Sequence, residues 1–151
     1  MAMEMRRATK DDLPAIVALL ADDVRGRSRD DASLPLDPAY EEAFAAVDAD
    51  PRQLLVVAVL DGAIVGTLQL SFIPGIGHKG AWRGQIEAVR IASQLRGQGL
   101  GGEMIAWAVD TCRSRGCRMV QLTSDKTRLD THRFYEQLGF EQSHLGFKLT
   151  L

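Results

Sequence analysis

Ile86 to Gly102 reads IEAVRIASQLRGQGLGG. An apolar run, Ile86 to Ile91, is followed by a short polar loop, then by glycines at 97, 99, 101 and 102, then by an amphipathic run. The order predicts a strand, a glycine loop and the start of a helix. Glycine lets a backbone approach a ligand closely and adopt dihedrals closed to other residues. Where such a loop opens a helix, the free N–H groups of the first turn point outward along the positive end of the dipole and suit phosphate. Arg96 adds fixed charge at the same place. Gly97, Gly99 and Gly102 also spell G-x-G-x-x-G, but a dinucleotide fold runs its strand almost directly into the first glycine of a longer domain. Here five residues separate Ile91 from Gly97, and the sequence ends at Leu151. A P-loop is excluded because no Lys-Ser or Lys-Thr follows at the required spacing. A glycine-rich turn without a ligand is the remaining plain alternative.

Working outward, Met3 to Ala8 is a strand candidate. Thr9 with Asp12 three residues on predicts a capped helix start, and Leu13, Ile16, Val17 and Leu20 repeat at helical spacing. Asp22 to Pro38 is polar and holds Arg25, Arg27 and Arg29 among aspartates, as a solvated, flexible loop would. Pro38 to Val47 predicts a second helix with Tyr40, Phe44 and Val47 on one face. Leu54–Leu60 and Ala63–Phe72 flank Asp61-Gly62, a strong hairpin signal. Pro74 to Gly84 reads as a loop carrying His78, Lys79, Trp82 and Arg83. Beyond the glycine loop, Ile105, Ala108, Val109 and Cys112 mark a buried helical stripe ended by Gly116. Met119–Thr123 is a further strand. Asp130 is a candidate N-cap for a short helix through Leu138, closed by Gly139. Phe140–Gln142 and Gly146–Leu151 alternate as a terminal pair of strands would.

The 151 residues suit one domain with a proper core. A net charge of −2 offers no global basic field for nucleic acid or a membrane surface. No apolar run reaches membrane-spanning length, and the N-terminus lacks a signal-like apolar core, so a cytoplasmic protein is expected. The two cysteines form no metal-type cluster. Cys112 falls on an apolar helix face as a structural thiol, and nothing marks Cys117, at a helix-to-strand turn, as a nucleophile.

Arg96-Gly97-Gln98-Gly99-Leu100-Gly101 matches the R/Q-x-x-G-x-G/A signature of the GNAT family of acyl-CoA-dependent N-acetyltransferases, and the chain resembles that family on both sides of it. Upstream lies the family's fourth strand, and downstream His132-Arg133-Phe134-Tyr135-Glu136-Gln137-Leu138-Gly139-Phe140 is similar to its "FYEKLGF" ending. The resemblance covers essentially the whole chain as a single domain, 1–151. It implies an α/β fold: a mixed, mostly antiparallel sheet flanked by helices, with strands splayed at the acyl-CoA site. It also implies acetyl-CoA as co-substrate and a homodimer. Val89, Arg90 and Ile91 would hold the acetyl carbonyl and pantetheine arm through backbone. Arg96, Gly97, Gln98, Gly99, Leu100, Gly101 and Gly102 would bind the pyrophosphate. Tyr135 would protonate the departing thiolate, a sensible exchange because a phenol's pKa lies not far above a thiol's. Glu87, a carboxylate in an apolar strand, is the candidate base, against a plain solvated or ion-paired glutamate. The segment 22–38 would close over the acceptor.

Many members carry Asn where this chain has Arg128. Lys126 to Tyr135 instead resembles the K-R-x-D-A-H-R-F-Y pattern of aminoalkylphosphonate acetyltransferases, as do Trp82 and Glu141-Gln142-Ser143-His144. Arg128 would then touch coenzyme phosphate and His132 could relay a proton, although a helix-packing histidine is the plainer expectation. Arg25, Arg27, His78, Lys79 and Arg83 could make a basic pocket for an anionic amine. A glutamate of that subgroup is replaced here by Ala88. The expected activity is direct acetyl transfer to a small-molecule primary amine through a tetrahedral intermediate. The alternatives are a protein or peptide acetyltransferase and a non-catalytic acyl-CoA-binding module.

Overall fold

The computed structural model describes residues 2–23 and 25–151. Residues 1–121 form one compact unit and 122–151 a second. The first unit is built on a sheet of five strands in the order β1-β2-β3-β4-β5. These are β1 (Glu4–Arg7), β2 (Gln53–Leu60), β3 (Ala63–Ile73), β4 (Trp82–Ile91) and β5 (Cys117–Leu122). The pairs from β1 to β4 are antiparallel. The hairpin of β2 and β3 turns at Asp61 and Gly62, both at positive φ (53° and 79°), the mirror-image turn that matches strand twist.

Cross-strand partners share a face, so the register sorts the sheet into two sides. Val56, Ala58, Gly66, Leu68, Leu70, Gly84 and Ile86 lie on one. Helix α3 (Leu100–Ser114) covers it with Met104, Ile105, Ala108 and Cys112, all essentially inaccessible. The approach is close because two glycines permit it. A Cβ at Gly66 would stand 2.8 Å from Met104 Sδ, and one at Gly84 would collide with Cys112 Sγ. On the other side, Ala8, Ile16 and Val57 form a cluster with Leu20, Phe44, Leu55, Val59 and Ile64 packed around it. Helices α1 (Leu13–Leu20) and α2 (Pro38–Ala49) supply Ile16, Leu20 and Phe44 to it.

Helix starts follow local chemistry. The Asp12 carboxylate accepts from the Thr9 amide (2.7 Å) and from both Arg6 terminal nitrogens (2.8 and 3.0 Å). The Arg6 hydrogen bonds hold this buried acid at a pKa of about 2. Asp37 caps α2 by accepting from Ala39 N (2.9 Å).

Several sequence expectations need correction. The central strand begins at Trp82, not Ile86, because Gly84 sits inside it as a packing position rather than in a loop. Asp130 does not cap the last helix, α4 (Leu129–Gln137): Arg128 stands at the cap, and Asp130 pairs with Arg133 in the first turn. The expected terminal strands are absent, residues 140–151 making no strand pairing among the described residues.

Two outcomes follow. Gly84→Ala should cost roughly 1–3 kcal/mol, read from the urea midpoint, because Cys112 has no space to yield. Asp12 titrates lower folded than its ordinary 3.8, so its contribution is complete above about pH 4 and disappears as pH falls toward 2. Acid unfolding of Asp12→Asn should lack that component, about 1–2 kcal/mol once the exposure of Arg6 is allowed for.

Candidate active site

Strand β4 does not pair with β3 continuously. Gln69 faces Glu87 and Thr67 faces Arg90, so Ala88 and Val89 together oppose Leu68. That is a bulge, and Ala88 takes the left-handed conformation (φ 54°) to make it. A non-glycine residue there is strained, and such strain concentrates at functional sites. The bulge removes an amide from the ladder beside Glu87, which is exposed and has no ion pair among the described residues. Nothing in the sequence flagged Ala88 as a backbone special; as alanine it reads like ordinary strand filler. Val89 and Ile91 are only half-buried.

Past Ile91 the chain makes a short turn, Ser93–Leu95, then the exposed segment 96–99. Gly97 and Gly99 lie at φ 81° and 83°, and Gly99 occupies the N-cap of α3. A Cβ at either would meet nothing within 4 Å, so the glycines serve the backbone path and leave open space above it. Leu100, Gly101 and Gly102 form the first turn, whose amides have no partner within the helix. An accessible N-terminus on a fifteen-residue helix, beside the exposed Arg96, fits a pyrophosphate.

The segment after α1 is more ordered than its charge suggested. Asp23 accepts from the Gly26 amide, closing a turn over Gly26–Ser28, and its other oxygen lies 3.9 Å from Arg90 Nε. Gly26 is obligatory, since a Cβ there would strike the Leu20 carbonyl. Tyr40 donates to Asp30 (2.8 Å) and accepts from the Asp31 amide (3.1 Å). The loop bearing Arg25 and Arg27 is thus tied to β4 and α2. The side chain of Arg90, expected to act by backbone alone, is one of its anchors.

A polar row crosses the sheet where strand patterns predict apolar residues. Gln69 Nε2 and Ser71 Oγ both donate to Gln53 Oε1 (2.9 Å each), and Gln121 donates to Gln85 (2.6 Å). Gln69 and Ser71 lie opposite Glu87 and Gln85. Sequence reading missed this row; isolated glutamines in apolar runs were the available signal.

In the second unit, Asp125 accepts from the Thr127 amide (2.9 Å) and hydroxyl (2.6 Å) ahead of α4. His132 Nε2 donates to the Asp125 carbonyl (2.8 Å), so this ring stabilises the turn that presents Arg128. Tyr135 is half-buried between Phe134 and Phe140 in edge-on contacts, centroids 5.0 and 5.8 Å apart.

Neither thiol is a ready nucleophile. Burial pushes Cys112 up to about 11, with Cys117 beside it adding to the shift, and burial raises Cys117 too.

The profile of the GNAT acetyltransferase family matches residues 15–140, and the chain belongs to that family. It is 31% identical over 149 residues to the aminoalkylphosphonate N-acetyltransferase of Salmonella typhimurium, covering 98% of this chain and 91% of that protein. A crystal structure described as a transcriptional regulator from Bacillus halodurans superposes with a TM-score of 0.96 at 45% identity, over 99% of this chain and all of that one. A Trypanosoma brucei acetyltransferase superposes at 0.80 with 28% identity, over 99% of this chain and all of that one. The chain is therefore an acetyltransferase that uses acetyl-CoA and acts on amines. Among the described residues, no helix is long and apolar enough to cross a membrane.

Asp23→Ala should release the Gly26–Ser28 turn. Amide exchange there is expected to rise about tenfold, the equivalent of one charge-assisted hydrogen bond, while β2 and β3 are unchanged.

Proposed function

We propose that this single domain transfers the acetyl group of acetyl-CoA directly to the primary amine of a small anionic molecule of the aminoalkylphosphonate class. The observation that carries the substrate class is the 31% identity to the Salmonella enzyme along 98% of the chain. The exposed cations Arg25, Arg27, His78 and Lys79 supply charge for a phosphonate. We further read the protein as a cytoplasmic homodimer.

In this reading the main-chain amides of Gly97 to Gly102, with Arg96 and Arg128, hold the coenzyme phosphates. Backbone of Val89, Arg90 and Ile91 holds the pantetheine arm, and the amide released by the Ala88 bulge donates to the acetyl carbonyl as negative charge grows on it. An ammonium has no lone pair, so a base must remove its proton first. Glu87, exposed beside the bulge, takes that proton directly or through water. Tyr135 gives a proton to the departing sulfur. The buried Cys112 and half-buried Cys117, both with raised pKa values, favour direct transfer over an acetylated thiol.

A second reading has one specific observation behind it: the likeness to a protein described as a transcriptional regulator. It would make this chain an acyl-CoA-binding module without turnover.

The test is thiol release from acetyl-CoA in the presence of 2-aminoethylphosphonate, polyamines, amino acids, aminoglycosides and peptides. Turnover is expected with the phosphonate. Turnover only with another amine would overturn the substrate class, and acetyl-CoA binding without any turnover would favour the module. Tyr135→Phe should lower kcat about 10²-fold with acetyl-CoA affinity within twofold of wild type. An unchanged kcat would remove Tyr135 from the acid role.

A further inference from the structure

The polar row on the sheet is organised in two rungs. Ser71 stands opposite both Gln53 and Gln85, so these three residues form one rung across β2, β3 and β4. Gln69 stands opposite Leu55 and Glu87 in the other rung, two residues away along each strand. Residues two apart share a face, so both rungs lie on the side away from α3, about 7 Å from one another. The apolar cluster around Ile16 and Val57 reaches Leu55, and the polar residues begin beside it. Gln53, Gln69, Gln85 and Gln121 are half-buried there, and Glu87 is exposed.

Each carboxamide spends one end inside the row and keeps the other. The Gln53 oxygen accepts from Gln69 Nε2 and Ser71 Oγ (2.9 Å each), which leaves the Gln53 Nε2 hydrogens unspent. Gln121 donates to the Gln85 oxygen (2.6 Å), which leaves Gln85 Nε2. Gln69 has given its nitrogen and keeps its oxygen. Gln121 also keeps its oxygen, one strand farther off on β5. No other hydrogen bond reaches these ends among the described residues, and none of them is sealed from solvent. A network built only to stabilise a sheet closes on itself, because polar groups held off water without partners are costly. This one stops short in an ordered way. The rung of Gln53, Ser71 and Gln85 offers N–H donors, while the rung of Gln69 and Glu87 offers oxygen acceptors.

We propose that the Gln53–Ser71–Gln85 rung is the anion subsite for the acceptor, with Gln85 as its specificity-determining residue. The acceptor's amine lies at the Glu87 and Gln69 oxygens, where its N–H groups find acceptors and its proton finds a base. Its anionic end lies about 7 Å away, against the Gln85 and Gln53 donors. A small amine with an anion on a short alkyl spacer fits that order. A polyamine would set a second ammonium against N–H donors, and is rejected. Gln121 is a positioning residue: by occupying the Gln85 oxygen it fixes which end of that carboxamide is offered. The exposed cations supply a field, and the rung supplies the direct contact. The proposal rests on the aminoalkylphosphonate reading above and assigns the groups that recognise the two ends of that acceptor.

The test compares 2-aminoethylphosphonate with propylamine, which has no anion. Steady-state constants are measured for wild type, Gln85→Leu and Gln85→Glu, with circular dichroism to confirm folding. Gln85→Leu should raise KM for the phosphonate about tenfold, the loss of one hydrogen bond to a charged group, with kcat within twofold. Gln85→Glu sets a like charge against the anion and should raise that KM about 100-fold. The constants for propylamine and for acetyl-CoA should stay within twofold in both variants. A wild type without phosphonate turnover would overturn the substrate reading and the subsite together. Phosphonate turnover with an unchanged KM in both folded variants would overturn the subsite and leave the reading standing. Equal losses for phosphonate and propylamine, as a merely structural role gives, would do the same. A second measurement needs no variant. In ¹⁵N-labelled wild type bound to CoA, 2-aminoethylphosphonate should shift two glutamine side-chain NH₂ resonances that propylamine leaves in place. The absence of such shifts would overturn the subsite.

Discussion

Strand β4 has to be two things at once. It is an interior strand, with β3 on one side and β5 on the other, and its amides must be paired as buried amides are. It must also present unpaired backbone to a ligand if it is to do chemistry. The bulge at Ala88 reconciles these demands by placing two residues opposite Leu68 and then restoring the register at Arg90. Before the bulge, Gly84 and Ile86 face α3 in a buried interface. After it, Arg90 reaches Asp23 and anchors the loop that carries Arg25 and Arg27. Core, bulge and loop anchor therefore lie along one ten-residue strand.

Helix α3 ties that strand to the glycine loop. Its buried residues recur at Met104, Ile105, Ala108 and Cys112, so its rotation over the sheet is fixed by packing. The glycines beneath it let the helix sit close, and Gly99 at its cap lets the chain enter from Ile91 without a side chain standing in front of the first-turn amides. The direction of the helix N-terminus is thus set by core packing some residues away.

Much of this was legible in the sequence because it is governed by periodicity and local turn chemistry. The Asp61-Gly62 hairpin, the Thr9–Asp12 start, the Tyr40–Phe44–Val47 face and the glycine loop all use rules that act over a few residues. What stayed hidden depends on tertiary register. Ala88 has no distinctive chemistry, and only the pairing of β3 with β4 reveals its conformation. Gly84 read as loop because glycine ordinarily breaks strands, whereas here a sulfur needs the room. Gln53, Gln69, Ser71 and Gln85 are scattered in sequence and meet only across strands. The terminal alternation predicted a pair of strands that does not form among the described residues, because alternation marks only a potential strand and pairing depends on a neighbour that local sequence does not name.

The central claim is that acyl-CoA is held by backbone amides in two places, the Ala88 bulge and the glycine loop at the head of α3. Titrating ¹⁵N-labelled protein with acetyl-CoA and following each amide resonance tests it directly. The account predicts the largest shifts at Ala88, Val89, Gly97, Gly99, Leu100 and Gly101, saturating together with one affinity. Saturable binding that leaves the amides of Ala88 and Val89 unmoved, or that misses the glycine loop, would contradict it.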